Sequence, residues 1–153
     1  MKKIFLILVS IIFLTSFTLH SIYIEPTGTY QLVDTTKNED GLTYGYLGYI
    51  QVKKIAINKI VMTFEDVKAP NYNSGSFVDT LDYKNNIAVY TTPHDSTCAI
   101  TFEFDEDGVT VKEKAADYNS GCAFGQGIDA SGYYEITSKK TPILIQPLTG
   151  DTL

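Results

Sequence analysis

The chain has 153 residues, of which 44% are hydrophobic, with twelve lysines, no arginine and eighteen acidic side chains, for a formal net charge of −6. An acidic chain without arginine lacks the cationic contacts that phosphate backbones and base edges require, which excludes nucleic-acid binding. Eleven tyrosines, eight phenylalanines and no tryptophan, among many β-branched residues, point to strands rather than helices.

Residues 1–21 have the layout of a secretory signal peptide. Lys2 and Lys3 supply the positive start, residues 4–14 an apolar run broken only by Ser10, and residues 15–21 a more polar stretch ending in Ser21. The run is shorter than the roughly 20 residues of a membrane-spanning helix. Cleavage is expected after Ser21, with Ser16 as the alternative. No cysteine lies near either cut, so a lipoprotein anchor is excluded. The mature part, 22–153, is then a single domain outside the cytoplasm, either periplasmic or secreted, with no membrane attachment after cleavage. It keeps ten lysines and all eighteen acids, a net charge of −8. That balance suits solubility or a basic protein partner.

Along the mature part, period-two alternation dominates. Strands are read at 28–33, from about 43 through Tyr44, Tyr46, Gly48, Ile50 and Val52 on one face, and at Ile60, Met62 and Phe64. A hairpin follows over 76–83 and 87–92, turning at Lys84-Asn85-Asn86. Residues 97–104 alternate most clearly: Cys98, Ile100, Phe102 and Phe104 face one way, Thr97, Ala99, Thr101 and Glu103 the other. Asp105-Glu106-Asp107-Gly108 turns the chain into Val109 and Val111. The last strand is 132–137. Segments 35–41, 68–75 and 115–131 read as loops, and the tail from about 142 as an extended end, with Ile143, Leu144 and Ile145 able to dock. The expected fold is all-β, a small antiparallel barrel of about eight strands, closed by pairing 28–33 with 132–137.

Chemistry-bearing motifs are few. Cys98 and Cys122 form an isolated pair in an oxidising compartment, which predicts a disulfide worth about 3 kcal/mol by loop closure. Glu103, Asp105, Asp107 and Gly108 imitate the start of a calcium loop. Lys114 stands where the closing glutamate belongs, so a solvated hairpin tip is expected and no metal. His94 is the one mature histidine; its neighbours Asp95 and Ser96 are too close in sequence for triad geometry. Carboxylate pairs for glycoside hydrolysis are numerous, and none is singled out. Gly125-Gln126-Gly127 lacks the surrounding βαβ unit of a dinucleotide loop. Neither a cofactor nor a catalytic residue is expected.

Two stretches carry a resemblance. One is Gly48-Tyr49-Ile50-Gln51-Val52-Lys53-Lys54 with Ser74-Gly75-Ser76-Phe77. The other is Cys98-Ala99-Ile100-Thr101-Phe102-Glu103-Phe104 with the run from Cys122-Ala123-Phe124-Gly125-Gln126-Gly127 to Tyr134. Together they resemble small exported bacterial β-barrel proteins grouped with lysozyme-inhibitor-like domains. Gly28-Thr29-Tyr30 is similar in shape to the Gly-x-Trp motif of lipocalins. The resemblance implies a compact barrel that binds a protein, with Ser131-Gly132-Tyr133-Tyr134 similar to the Ser-Gly-x-x-Tyr loop by which such inhibitors enter a lysozyme cleft. Tyrosine-rich loops around Tyr72 and Tyr118 add contact surface. The candidate binding residues are therefore Tyr72, Tyr118, Phe124, Ser131 and Tyr133. The leading expectation is a binding module, for instance an inhibitor of a basic cell-wall hydrolase such as lysozyme. The alternatives are a carrier of a small apolar ligand inside the barrel and a hydrolase.

Overall fold

A computed structural model describes residues 22–93, 95–116, 122, 124 and 127–153. Residues 1–21, His94 and Tyr118, and with them the expected signal peptide, lie outside the described residues. Eight antiparallel strands follow one another around a closed barrel: β1 (Gly28–Lys37), β2 (Thr43–Ala56), β3 (Lys59–Ala69), β4 (Asn73–Lys84), β5 (Ile87–Tyr90), β6 (Ala99–Phe104), β7 (Gly108–Lys114) and β8 (Gly132–Ser138). Closure is made where expected, by Tyr30 opposite Ile136 and Gln31 opposite Glu135. Apart from the closing pair of β1 and β8, every neighbour in the barrel is a neighbour in sequence, so short turns suffice for most connections.

Strand parity decides what fills the interior. Ile50 and Val52, then Ile60, Met62 and Phe64, then Ile100, Phe102, Val109 and Val111 alternate inward and are buried. Each such side chain removed from water contributes about 1.5–3 kcal/mol. Rings occupy the axis. Phe64 meets Phe77 at 5.3 Å, Phe102 at 5.9 Å and Tyr134 at 6.0 Å between centroids. Tyr30 and Tyr83 pack edge-on to Phe104 at 5.6 and 5.5 Å. The barrel has a side-chain core in place of a lumen, as eight-stranded barrels allow.

One end of the barrel is sealed by the segment before β1. Ile24 N–H donates to Asn86 Oδ1 at 2.8 Å and Asn86 Nδ2 donates to the Ile22 carbonyl at 2.7 Å. The Tyr83 hydroxyl donates to Ile24 O and that of Tyr30 to Pro26 O. Asn85 and Asn86, at φ 54° and 65°, form the two-residue turn between β4 and β5. Both central residues of a type I′ hairpin require positive φ, and asparagine tolerates it.

Three expectations are corrected. Residues 35–37 are strand, because Thr35, Thr36 and Lys37 pair with Gly45, Tyr44 and Thr43; the loop shrinks to a turn in which Leu42 N–H bonds Asn38 Oδ1 at 2.8 Å. Segment 68–75 is largely ladder as well, with Lys68 opposite Asn73. Only Pro70, Asn71 and Tyr72 turn the chain there, after a cis Ala69–Pro70 peptide. Finally, the tail does not fray: Leu144 and Ile145 dock, as their apolar character allowed, and the end folds back on itself. Ile145 bridges Thr152, and Gly150 N–H donates back to Gln146 O at 2.8 Å. Gln51 holds this tail from the outer face of β2. Its Nε2 donates to Ile143 O at 3.0 Å and its Oε1 accepts from Ile145 N–H at 2.9 Å. An amide side chain thus supplies one donor and one acceptor to the tail backbone, as a neighbouring strand would. Leu144 is buried beneath the tail, whereas Ile143 points to solvent.

Candidate functional site

The end opposite the sealed one carries the turns at 38–42 and 70–72 and the two longest connections, 91–98 and 115–131. Strands β1 to β4 outrun β5 to β8 there, leaving a wall of Thr43–Leu47 and Val67–Ala69 beside the loop after β7. The described part of that loop is tied down at five places. Cys122 is bonded to Cys98, with Cα atoms 5.2 Å apart. Phe124 stacks on Phe64 at 5.8 Å. The Tyr46 hydroxyl and the Lys68 ammonium both donate to the Gly127 carbonyl, at 3.2 and 2.8 Å, with Lys68 5.4 Å over the Tyr46 ring. Ala130 N–H donates to Glu113 Oε2 at 2.8 Å, and Ser131 Oγ accepts from Glu113 N–H at 3.0 Å.

Beneath the loop, Asp66 continues the inward parity of Ile60, Met62 and Phe64. Its register partners are Gly48 on β2 and Gly75 on β4. Neither glycine is replaceable without a shift: a Cβ at Gly48 would overlap the Tyr134 ring, and one at Gly75 the Phe124 ring. Asp66 therefore sits in a row whose neighbours have been cleared for two aromatic rings. It is 0% exposed, and neither carboxylate oxygen has a hydrogen-bond partner among the described residues. Burial pushes its pKa up to about 7; the Val67 N–H pulls the other way, and the charges of Asp129 and Glu113 add to the rise. Glu113 is raised for the same leading reason, burial, with Asp129 adding and the Ala130 and Cys122 N–H groups opposing. Tyr134 is pushed up by burial and then by Asp66 and Asp129, and its hydroxyl donates to Ala130 O at 3.3 Å. A protonated Asp66 is the form this environment favours.

The candidate contact residues separate. Tyr72, 66% exposed at φ 55°, stands at the tip of the β3–β4 turn on the loop-bearing end. Phe124 is at the same end, aimed into the core. Ser131 anchors the loop base to β7. Tyr133 points toward the other end, where its hydroxyl donates to Asp105 Oδ1 at 3.0 Å. Burial, this bond and the neighbouring charges push its pKa up to about 12. The same Asp105 oxygen accepts from Asp107 and Gly108 N–H at 2.8 Å each. Asp105 is thus committed to closing its hairpin. Asp66 and Gln51, which organise the loop end and the tail, were missed in the sequence. Parity alone marked Asp66 as inward.

Asp66, Glu113 and Asp129 have the chemistry of an acid–base cluster, with a shifted pKa, but Asp66 has no opening to solvent. No group of three or more metal-binding side chains occurs among the described residues. No protein-family model, curated protein or solved structure matches the chain. The disulfide fits an oxidising, exported setting. None of the described residues forms a helix long and apolar enough to cross a membrane.

Proposed function

We propose that the mature chain is an exported binding module that engages a basic protein through the loop-bearing end of the barrel. The supporting observation is the filled interior. With Phe64, Phe77, Phe102, Phe124 and Tyr134 packed along the axis, a ligand has to be met on the outside, and recognition loops cluster at one end only. A disulfide and five anchoring contacts hold those loops in advance, which lowers the ordering cost of binding. The net charge of −8 over 22–153 favours a cationic partner, and the resemblance to inhibitor-like exported proteins points to a basic cell-wall hydrolase. Carriage of an apolar ligand in the barrel has less support, because the space it needs holds side chains. Hydrolysis ranks second on the strength of Asp66, whose raised pKa suits a general acid but whose burial denies it a substrate.

The test is turnover of a C-type lysozyme in the presence of excess mature chain at low ionic strength. Inhibition that weakens in Tyr72→Ala is the expected result. Full lysozyme activity at high molar ratio overturns the inhibitor reading.

A further inference from the structure

The ladder between β4 and β5 is open for most of its length. On its other side β4 pairs with β3 from Lys59 opposite Asp82 to Lys68 opposite Asn73. Toward β5 it pairs only at Tyr83 with Ala88 and Lys84 with Ile87. The alternation of an antiparallel strand fixes which groups are left over. Tyr83 N–H donates toward β3, to Asn58 O at 2.9 Å, so the main-chain groups of Asp82, Thr80 and Val78 face the seam. The Tyr83–Ala88 pair is thus a non-hydrogen-bonded one, and the ladder's last bond on that side joins Asp82 to Val89; beyond it, Thr80 and Val78 have no ladder partner on that side among the described residues.

On the inside the seam is closed by rings, Phe77 on β4 stacking on Tyr90 of β5 at 3.8 Å and 1°. On the outside it is a groove of about 630 Å³, lined among others by Asp79, Thr80, Val89 and Thr91. That is the size of a ligand or peptide cleft. Thr80 N–H, the donor at its centre, is occupied by the chain's own Asp79 Oδ1 at 2.7 Å. Asp79 thereby stands in for the carbonyl of a missing strand. Its carboxylate forms no ion pair among the described residues; of the two lysines lining the groove, Lys59 is paired with Asp82 at 2.7 Å and Lys84 stands beside the turn into β5.

We propose that this seam is a docking site for an extended peptide segment of a partner, which adds as a strand along the open stretch of β4 that includes Val78 and Thr80 and sets a lysine or arginine against Asp79. Backbone groups would give the affinity and the carboxylate the choice of side chain, the usual division in strand addition. A second copy of this chain suits the seam poorly: it carries the same strong negative charge and would bring further acidic side chains to a groove that already presents Asp79. The groove lies along the barrel wall and reaches the loop-bearing end only at Thr91, and its experiment is read separately from hydrolase inhibition.

The experiment is amide NMR of the ¹⁵N-labelled mature chain titrated with the peptide acetyl-Lys-Thr-Val-Lys-Val-Thr-Lys-amide. Shifts and slowed hydrogen exchange at Val78 and Thr80 are expected. Asp79→Asn keeps an acceptor for Thr80 N–H and the fold, and is expected to weaken binding about tenfold. The same peptide N-methylated at alternate residues is expected not to bind. Absence of seam shifts up to millimolar peptide overturns the proposal. So does equal binding of the N-methylated peptide, which would mean charge attraction without a ladder. Concentration-dependent shifts of the same amides in the chain alone would assign the seam to a second copy and overturn the cationic partner.

Discussion

At Asp66 the fold buries a carboxyl group with no charge partner for its ionised form among the described residues. The ordinary value is 3.8, and in the barrel it rises to about 7, chiefly through burial. Between these values the folded chain retains a proton that the unfolded chain has released. Protons are then bound preferentially by the folded state, so stability falls as pH rises from about 4 to about 7 and levels off above. Asp66→Asn preserves shape and removes the ionisation. Its urea midpoint is expected to match the parent near pH 4 and to exceed it at about pH 8, by roughly 2–4 kcal/mol in unfolding free energy. A constant difference across that range would mean that Asp66 is ionised in the fold. The inward position was open to a reading of parity through Ile60, Met62 and Phe64. The environment was not, because it depends on Gly48 and Gly75 lying beside it and on rings arriving from β8 and from the loop after β7.

Among the elements, the hairpins were readable and the ends were not. Residues 97–111 alternate, and Asp105 to Gly108 spell a turn, so β6 and β7 were visible in outline. The Asn85-Asn86 turn was readable for the same reason, but its second duty was hidden. Asn86 binds Ile22 and Ile24 through both ends of its amide, a contact across 62 and 64 positions that no local pattern encodes. Asn85 shares the positive φ and has no such bonds. Asn86→Ala is therefore expected to cost about 2–3 kcal/mol, summing left-handed strain and two hydrogen bonds. Asn85→Ala should cost only the strain. Chemical denaturation of both variants checks the difference; equal losses would show that the segment before β1 adds nothing through Asn86. The docking of the tail was open to its apolar run, but the partner that orders it was not. Two prolines and a glycine suggested fraying, whereas Gln51, outward-facing on β2, supplies it with a donor and an acceptor.

For the whole molecule, strand count and turn spacing were enough to expect a closed barrel. Whether such a barrel is hollow depends on how inward side chains share the axis, and composition does not set that. Here they fill it, so the proposed binding falls to the outer surface and its charge. The two uses of a barrel then differ in their response to salt. A net charge of −8 over 22–153 accelerates encounter with a cationic protein, and the screening length shrinks to about 10 Å at 0.1 M salt. Association with a basic hydrolase is expected to slow about tenfold between about 20 and 200 mM salt, with the dissociation rate changing much less, because steering acts before contact and short-range packing after it. Surface-plasmon kinetics over that range provide the check. Uptake of a neutral apolar dye into a lumen would be nearly indifferent to the same salt. A salt-insensitive association rate with a basic protein would separate the charge of this chain from its choice of partner.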